Sequence, residues 1–346
     1  MLRGLVVVLL LTSCVAWAQE PESWSSQEAK FLSNIKQLTF DFARAGEAYF
    51  SPDQRHIIFQ AEQKGENPFY QMFIMNLETG KTWRVSPGAG RTTCGHFHPS
   101  GEKVIFASGH THPNLRQEYD EELAKRAEEQ RTRQRRRYQW DFDEHIKIYE
   151  SDLDGGNLRL LTDAPGYNAE GSYSPDGKQI VFTSNRDGNL ELYIMNADGT
   201  GVRKLTNAPG CYNGGPFFSP DGKRVIFRAD RQKKDFLQIH VINVDGTGDT
   251  QLTDTEGVNW GPYWHPDGEH IIYSGADHSN PLARPNYDLY VMHLATRRTH
   301  RVTFAPGADV LPVFSPDGKK LMWTSTRDGR MPGAQVFIAD FTMPTD

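Results

Sequence analysis

A motif built on proline recurs six times along the 346-residue chain: YFSPDQ at Tyr49 to Gln54, HFHPSG at His96 to Gly101, SYSPDG at Ser172 to Gly177, FFSPDG at Phe217 to Gly222, YWHPDG at Tyr263 to Gly268 and VFSPDG at Val313 to Gly318. Two residues before each proline stands an aromatic (Phe50, Phe97, Tyr173, Phe218, Trp264, Phe314), and seven after it stands another (Phe59, Phe106, Phe182, Phe227, Tyr273, Trp323). An aromatic, a Pro-Asp-Gly turn and an alternating apolar run describe a β-hairpin. Each unit adds a third strand, as in Leu192 to Gly201, and a fourth, as in Val202 to Asn207. One such unit cannot cover its own faces, so tandem copies stack around an axis as blades. The expected fold is all-β: a six-bladed β-propeller over 30–342.

Successive prolines are 47, 76, 45, 46 and 50 residues apart, which places an insertion of about 30 residues, 110–143, in blade two. The sixth unit ends on its third strand, Val336 to Asp340, while Asn34 to Thr39 reads as a fourth strand without a blade. The N-terminal strand should therefore complete the last blade, which removes two open sheet edges at once.

Residues 1–18 read as a secretory signal, with Arg3, an apolar run from Leu5 to Leu11, and Ala16-Trp17-Ala18 before Gln19. Leu11-Thr12-Ser13-Cys14 also fits a lipobox, which would lipidate Cys14. Both readings export the chain to the periplasm or beyond, with residues 19–29 as a tail. Past the leader there is no second apolar run long enough to span a bilayer. Cys94 and Cys211 are then the only cysteines apart from Cys14, so a disulfide scaffold is excluded, although one bond between them is open. A net charge of −6 argues against nucleic acid, whose binding rests on a basic surface. A monomer is expected.

The SPDGK turns at Ser174, Ser219 and Ser315, the TSNRDG and TSTRDG segments at Thr183 and Thr324, and the run LYIMNADGTGVRKLT from Leu192 resemble the TolB-type, WD-like six-bladed propellers over roughly Phe31 to Phe341. The resemblance implies the fold. It also implies an envelope setting, since TolB is a periplasmic component of the Tol–Pal system, although the α/β domain that precedes the TolB propeller has no counterpart in Gln19 to Lys30. Function needs separate argument, because one propeller supports binding, scaffolding and several chemistries.

Six internal copies separate scaffold from site. The Asp of the SPDG turns and the turns at Asn196 and Asn243 recur, and are read as turn residues. Asn168, Asn213, Asn259 and Asp309 share one offset and are read as caps on the loop entering the inner strand. The irregular features fall on one face: the insertion, the 276–288 loop of blade five, and Glu47, Cys94 and Glu170 at the inner-strand starts. Within the insertion, Asn114 to Tyr138 reads as a charged helix with pairs Glu121/Lys125, Glu122/Arg126 and Glu129/Arg133, ending in Arg131, Arg133, Arg135, Arg136 and Arg137. That run could dock an envelope protein or an anionic polymer. His96, His98, His110, His112 and His145 crowd blade two, and an extended H-x-H puts His110 and His112 on one side, within reach of a divalent ion, with Glu47, Glu170 or Asp143 as oxygen donors. Two readings follow: an exported, non-catalytic binding propeller with no cofactor, and a metal-dependent enzyme, which resemblance to propeller lyases of acidic oligosaccharides would support. Cys94 is read as a buried thiol in preference to a nucleophile. No G-x-S-x-G elbow is present.

Overall fold

The computed structural model describes residues 22–344 apart from 66, 135–141, 281, 283–284 and 328–332. Six four-stranded antiparallel sheets surround one axis. The inner strands of blades one to six are Phe42–Phe50, Thr92–Phe97, Asn168–Tyr173, Asn213–Phe218, Gly257–Trp264 and Asp309–Phe314. In blade six the outermost strand is Leu32–Gln37, paired with Gln335–Phe341 at Leu32↔Phe341 and Gln37↔Phe337. The N-terminal strand thus closes the ring. It starts two residues earlier than the sequence suggests, and Thr39 beyond it still holds the seam through its hydroxyl, which donates to Gln335 Oε1 (2.7 Å) and accepts from the Val336 N–H (3.0 Å).

The repeated aromatics are the inter-blade core. Phe59, Phe106, Phe182, Phe227, Tyr273 and Trp323 are all buried, and of their partners two before the proline only Phe50 is half-buried. Each fully buried ring of this size contributes about 1.5–3 kcal/mol by leaving water, so the motif that repeats is the one that holds blade to blade.

The tail is better anchored than its sequence suggests. Helix α1 (Trp24–Glu28) delivers Glu28 into the protein, where its carboxylate accepts the N–H groups of Phe304 (2.8 Å) and Ala305 (3.0 Å) and pairs with Arg327 (3.1 Å). Arg327 in turn pairs with Asp309 at 2.8 Å. A buried carboxylate is tolerated there because every charge has a partner. Both Cys94 and Cys211 are free thiols. Among the described residues no helix is long and apolar enough to cross a membrane. The leader, with Cys14, lies outside the described residues.

Candidate functional site

Each inner strand loses register at a shared place, between Gly46 and Ala48, Thr93 and His96, Ala169 and Ser172, Gly214 and Phe217, Trp260 and Tyr263, and Val310 and Val313, and the strand of blade one shifts a second time between Phe42 and Arg44. The residue five before each proline is left-handed there: Glu47 (φ 47°), Cys94 (55°), Glu170 (58°), Gly215 (59°), Gly261 (57°) and Leu311 (55°). A bulge re-aims a side chain, and here six bulges form a ring around the axis. Glycine adopts this conformation freely, whereas each of the four others carries strain of about 1–2 kcal/mol. Glu47, Cys94 and Glu170, which the sequence singles out at the inner-strand starts of one face, are three members of that ring. The other three are apolar.

Two residues further along each strand the axis is filled. Tyr49 packs on His96 (5.1 Å between ring centroids), on Phe217 (5.6 Å) and on Tyr263 (6.2 Å), and Phe217 packs on Tyr263 at 5.1 Å. Blade one thus meets blade four across the ring, and the polar ring rests on an aromatic floor. Burial in that floor lowers the His96 imidazole pKa to about 4, so it stays neutral at physiological pH.

The polar ring is held by one cation, Arg228. It occupies the offset eight after the proline, where the other blades carry Gln60, Ala107, Thr183, Ser274 and Thr324. Two of those small hydroxyls accept the N–H of the next bulge: Thr324 from Glu47 and Ser274 from Leu311, both at 2.9 Å. Arg228 instead pairs with Glu170 (3.2 Å) and donates to Tyr212 Oη (2.7 Å). Glu170 also accepts from Tyr167 (3.2 Å), Thr183 (3.3 Å), Tyr212 (3.2 Å) and the Gly215 N–H. A carboxylate so fully bonded is a structural hub.

Glu47 differs. Its carboxylate accepts long contacts from the Tyr49 and Thr93 hydroxyls, both 3.4 Å. Burial pushes its pKa up to about 7, against the opposing hydrogen bond from Cys94, and Glu170's charge raises it further. Burial and the two glutamates hold the Cys94 thiol protonated, which suits packing better than nucleophilic attack. Sequence reading misses Arg228, Tyr212 and the floor. The lone arginine at an offset otherwise filled by shorter, uncharged residues is the signal that could have found the first.

The insertion carries helix α2, Leu115–Thr132, between the second and third strands of blade two. None of its residues is buried, and the half-buried ones, Leu115, Glu118, Tyr119, Glu122, Arg126 and Glu129, form one stripe at helical spacing. That stripe is mostly charged, so the helix is tied down by polar contacts. Arg126 bonds Glu122 (2.7 Å), the Pro68 carbonyl (2.6 Å) and Glu62 of blade one (3.1 Å), and the Tyr119 hydroxyl accepts the Gly90 N–H at 2.8 Å. The helix ends before the expected Tyr138: Arg133 is left-handed (φ 56°) and caps it. Arg131 turns back onto Glu128 (2.8 Å). Arg135, Arg136 and Arg137 lie outside the described residues.

The histidine expectation needs correction. The H-x-H stretch is a turn closed by the His112 N–H on the Gly109 carbonyl (2.9 Å), so His110 and His112 do not share one side. His110 belongs to the scaffold. Eleven residues after the proline, blades three and six carry Arg186 and Arg327, which donate to Ser184 (3.1 Å) and Ser325 (3.2 Å) and lie over Tyr193 and Phe337. His110 repeats this with Nδ1 3.1 Å from Ser108 Oγ and its ring 4.6 Å from Tyr149. His112 meets His145 instead, at 4.1 Å between rings, with Asp143 beside them.

Residues 140–213 match the family model described as the TolB beta propeller domain. A TolB homolog of Chlorobium luteolum is 30% identical over 197 residues, 56% of this chain and 31% of that protein. Dipeptidyl-peptidase 5 of Porphyromonas gingivalis is 37% identical over 82 residues, 22% of this chain and 12% of that protein. The chain therefore spans less than a third of the length of either relative. The crystal structure of TolB from Acinetobacter baumannii superposes with a TM-score of 0.56 at 20% identity over 89% of this chain and 66% of that one, a likeness of fold.

Proposed function

We propose that this TolB-type six-bladed propeller is an exported, non-catalytic binding protein whose insertion-bearing face engages a protein or anionic polymer of the cell envelope. One observation carries the reading: α2 is an 18-residue helix with no buried residue, held on the face by a few polar anchors. Building and fastening such a helix contributes little to the ring, whose core is complete without it. What it adds is a charged, exposed surface on a rigid support. The axial groups favour the same reading, since Glu170 is spent on structural bonds and the Cys94 thiol is kept protonated. The likeness to TolB proteins supports the envelope setting.

The test is affinity capture from an envelope extract with the full chain and with an Arg131/Arg133/Arg135/Arg136/Arg137→Ala variant. A partner should be retained by the first, lost by the second, and released as ionic strength rises past the point where the Debye length falls to about 3–8 Å. Equal recovery by both proteins, or no recovery by either, overturns the proposal.

A further inference from the structure

We propose that His112, Asp143 and His145 form a binding site for a divalent transition ion of the zinc class, which clasps the two ends of the insertion together. One donor atom from each of the three lies within 4.8 Å of the others. The two rings are already in contact, 4.1 Å apart and inclined at 69°. Asp143 gives the independent sign. Its side chain is 7% exposed, and Oδ2 is a buried oxygen with no hydrogen-bond partner among the described residues. An unsatisfied buried carboxylate oxygen costs on the order of 1–3 kcal/mol or more, and a cation is what removes that cost.

Around the three, Asp143 and His145 support one another, while His112 Nδ1 accepts the Asn114 N–H (3.0 Å), a bond exchanged for the ion when the ring ligates. Asp143 Oδ1 accepts the His145 backbone N–H (2.8 Å) and lies 3.2 Å from His145 Nδ1. With its proton on Nε2, a neutral His145 turns the Nδ1 lone pair toward the carboxylate, so Nδ1 and the free Oδ2 can face one ion, whose ligand atoms stand about 3.3 Å apart in a tetrahedral site. Glu118, on the first turn of α2, stands 3.8 Å from His112 Nδ1 and 4.0 Å from Arg91 Nε, in place to supply a second oxygen. Two imidazoles with carboxylates suit zinc and its neighbours better than calcium or magnesium, which take oxygen ligands.

The second histidine-acid group, His265, Asp267 and His270, makes the contrast. There both Nδ1 atoms converge on Asp267 Oδ2, at 2.9 and 2.8 Å, and Oδ1 accepts the Glu269 and His270 N–H groups. That carboxylate is fully partnered and serves a turn. In the insertion the ligands come instead from its start (His112) and its end (Asp143, His145), so one ion would close a long loop, where cross-linking removes the most chain freedom. The site stands on its own donors, independently of whether α2 docks a partner.

The experiment uses the full chain stripped with a chelator and titrated calorimetrically with zinc chloride. One ion per chain is expected, bound at about 1 µM or tighter, together with slower tryptic cleavage in the Lys- and Arg-rich 115–137 segment. His112→Ala, His145→Ala and the isosteric Asp143→Asn should each weaken binding by about 100-fold or more. His110→Ala and His265→Ala should leave it unchanged. No uptake by the stripped wild type, uptake that survives Asp143→Asn, or uptake lost in His265→Ala overturns the proposal. Because the readouts are ion stoichiometry and protease protection, they fail separately from the partner capture above.

Discussion

The two ends of the ring are built on opposite terms. At the turn-bearing end the same device is written again and again: Ser51, Ser174, Ser219 and Ser315 each donate a 2.6 Å hydrogen bond to the aspartate two residues on, Asp53, Asp176, Asp221 and Asp317. At the insertion-bearing end the shared backbone bulge carries glutamate, cysteine, glutamate, glycine, glycine and leucine in turn. The first end shows what a blade needs. The second shows what a blade can carry once that need is met, and the carboxylates, thiol and guanidinium around its axis come from blades one to four.

The comparison breaks most easily at Arg228. If the polar ring is a structural hub, Arg228→Met leaves Glu170 buried without its cation and should cost about 3–5 kcal/mol in chemical denaturation. Glu170→Gln combined with Arg228→Met should recover a large part of that loss, since no orphaned charge remains. A single substitution that costs under about 1 kcal/mol would place the ring's energetics elsewhere and leave Glu170 free for other work.

How far the sequence carries can be judged from these same residues. The fold was legible because Phe59 and Phe182 answer a need common to every blade, and a common need leaves a period. Glu47, Cys94 and Glu170 could be picked out as departures from that period. Their meeting around one axis could not, because it depends on a bulge that rotates side chains from separate blades inward. His110 illustrates the opposite error: it looked local, yet it fills a repeat offset held by Arg186 and Arg327, and only the shared serine contact shows it. Glu28 left no pattern, since its partners lie about 280–300 residues away in sequence.

Glu47 sharpens the comparison by pH. Its pKa is raised to about 7 in the folded protein from an ordinary 4.5, chiefly by burial. The folded state then holds a proton that the unfolded chain releases, so this group's contribution is fully present below about pH 4.5 and is lost as pH rises through 7. Its removal should show as a gain: Glu47→Gln is expected to be more stable than wild type at pH 8 by on the order of 1–3 kcal/mol, with the difference vanishing near pH 4. Parallel stability curves for the two proteins across that window would mean that Glu47 is hydrated and titrates normally.

The smallest effect tests the repeated end. In the turn after the proline, Gly101, Gly177, Gly222, Gly268 and Gly318 take φ of 71–75°, and blade one places Gln54 there at φ 60°. A side chain in that conformation is strained by about 1–2 kcal/mol, whereas glycine is not, at the expense of some unfolded-state entropy. Gln54→Gly should therefore stabilise the protein by about 0.5–1 kcal/mol, seen as a rise of a few degrees or less in Tm. Gly177→Gln should do the reverse by more, because a Cβ at Gly177 would stand 2.6 Å from His98 Nε2, whereas the nearest blade neighbours of the corresponding Gly222 and Gly101 leave 3.7 and 4.0 Å. If the two substitutions moved stability in the same direction, the six turns would not be copies of one another in energy, whatever their shape.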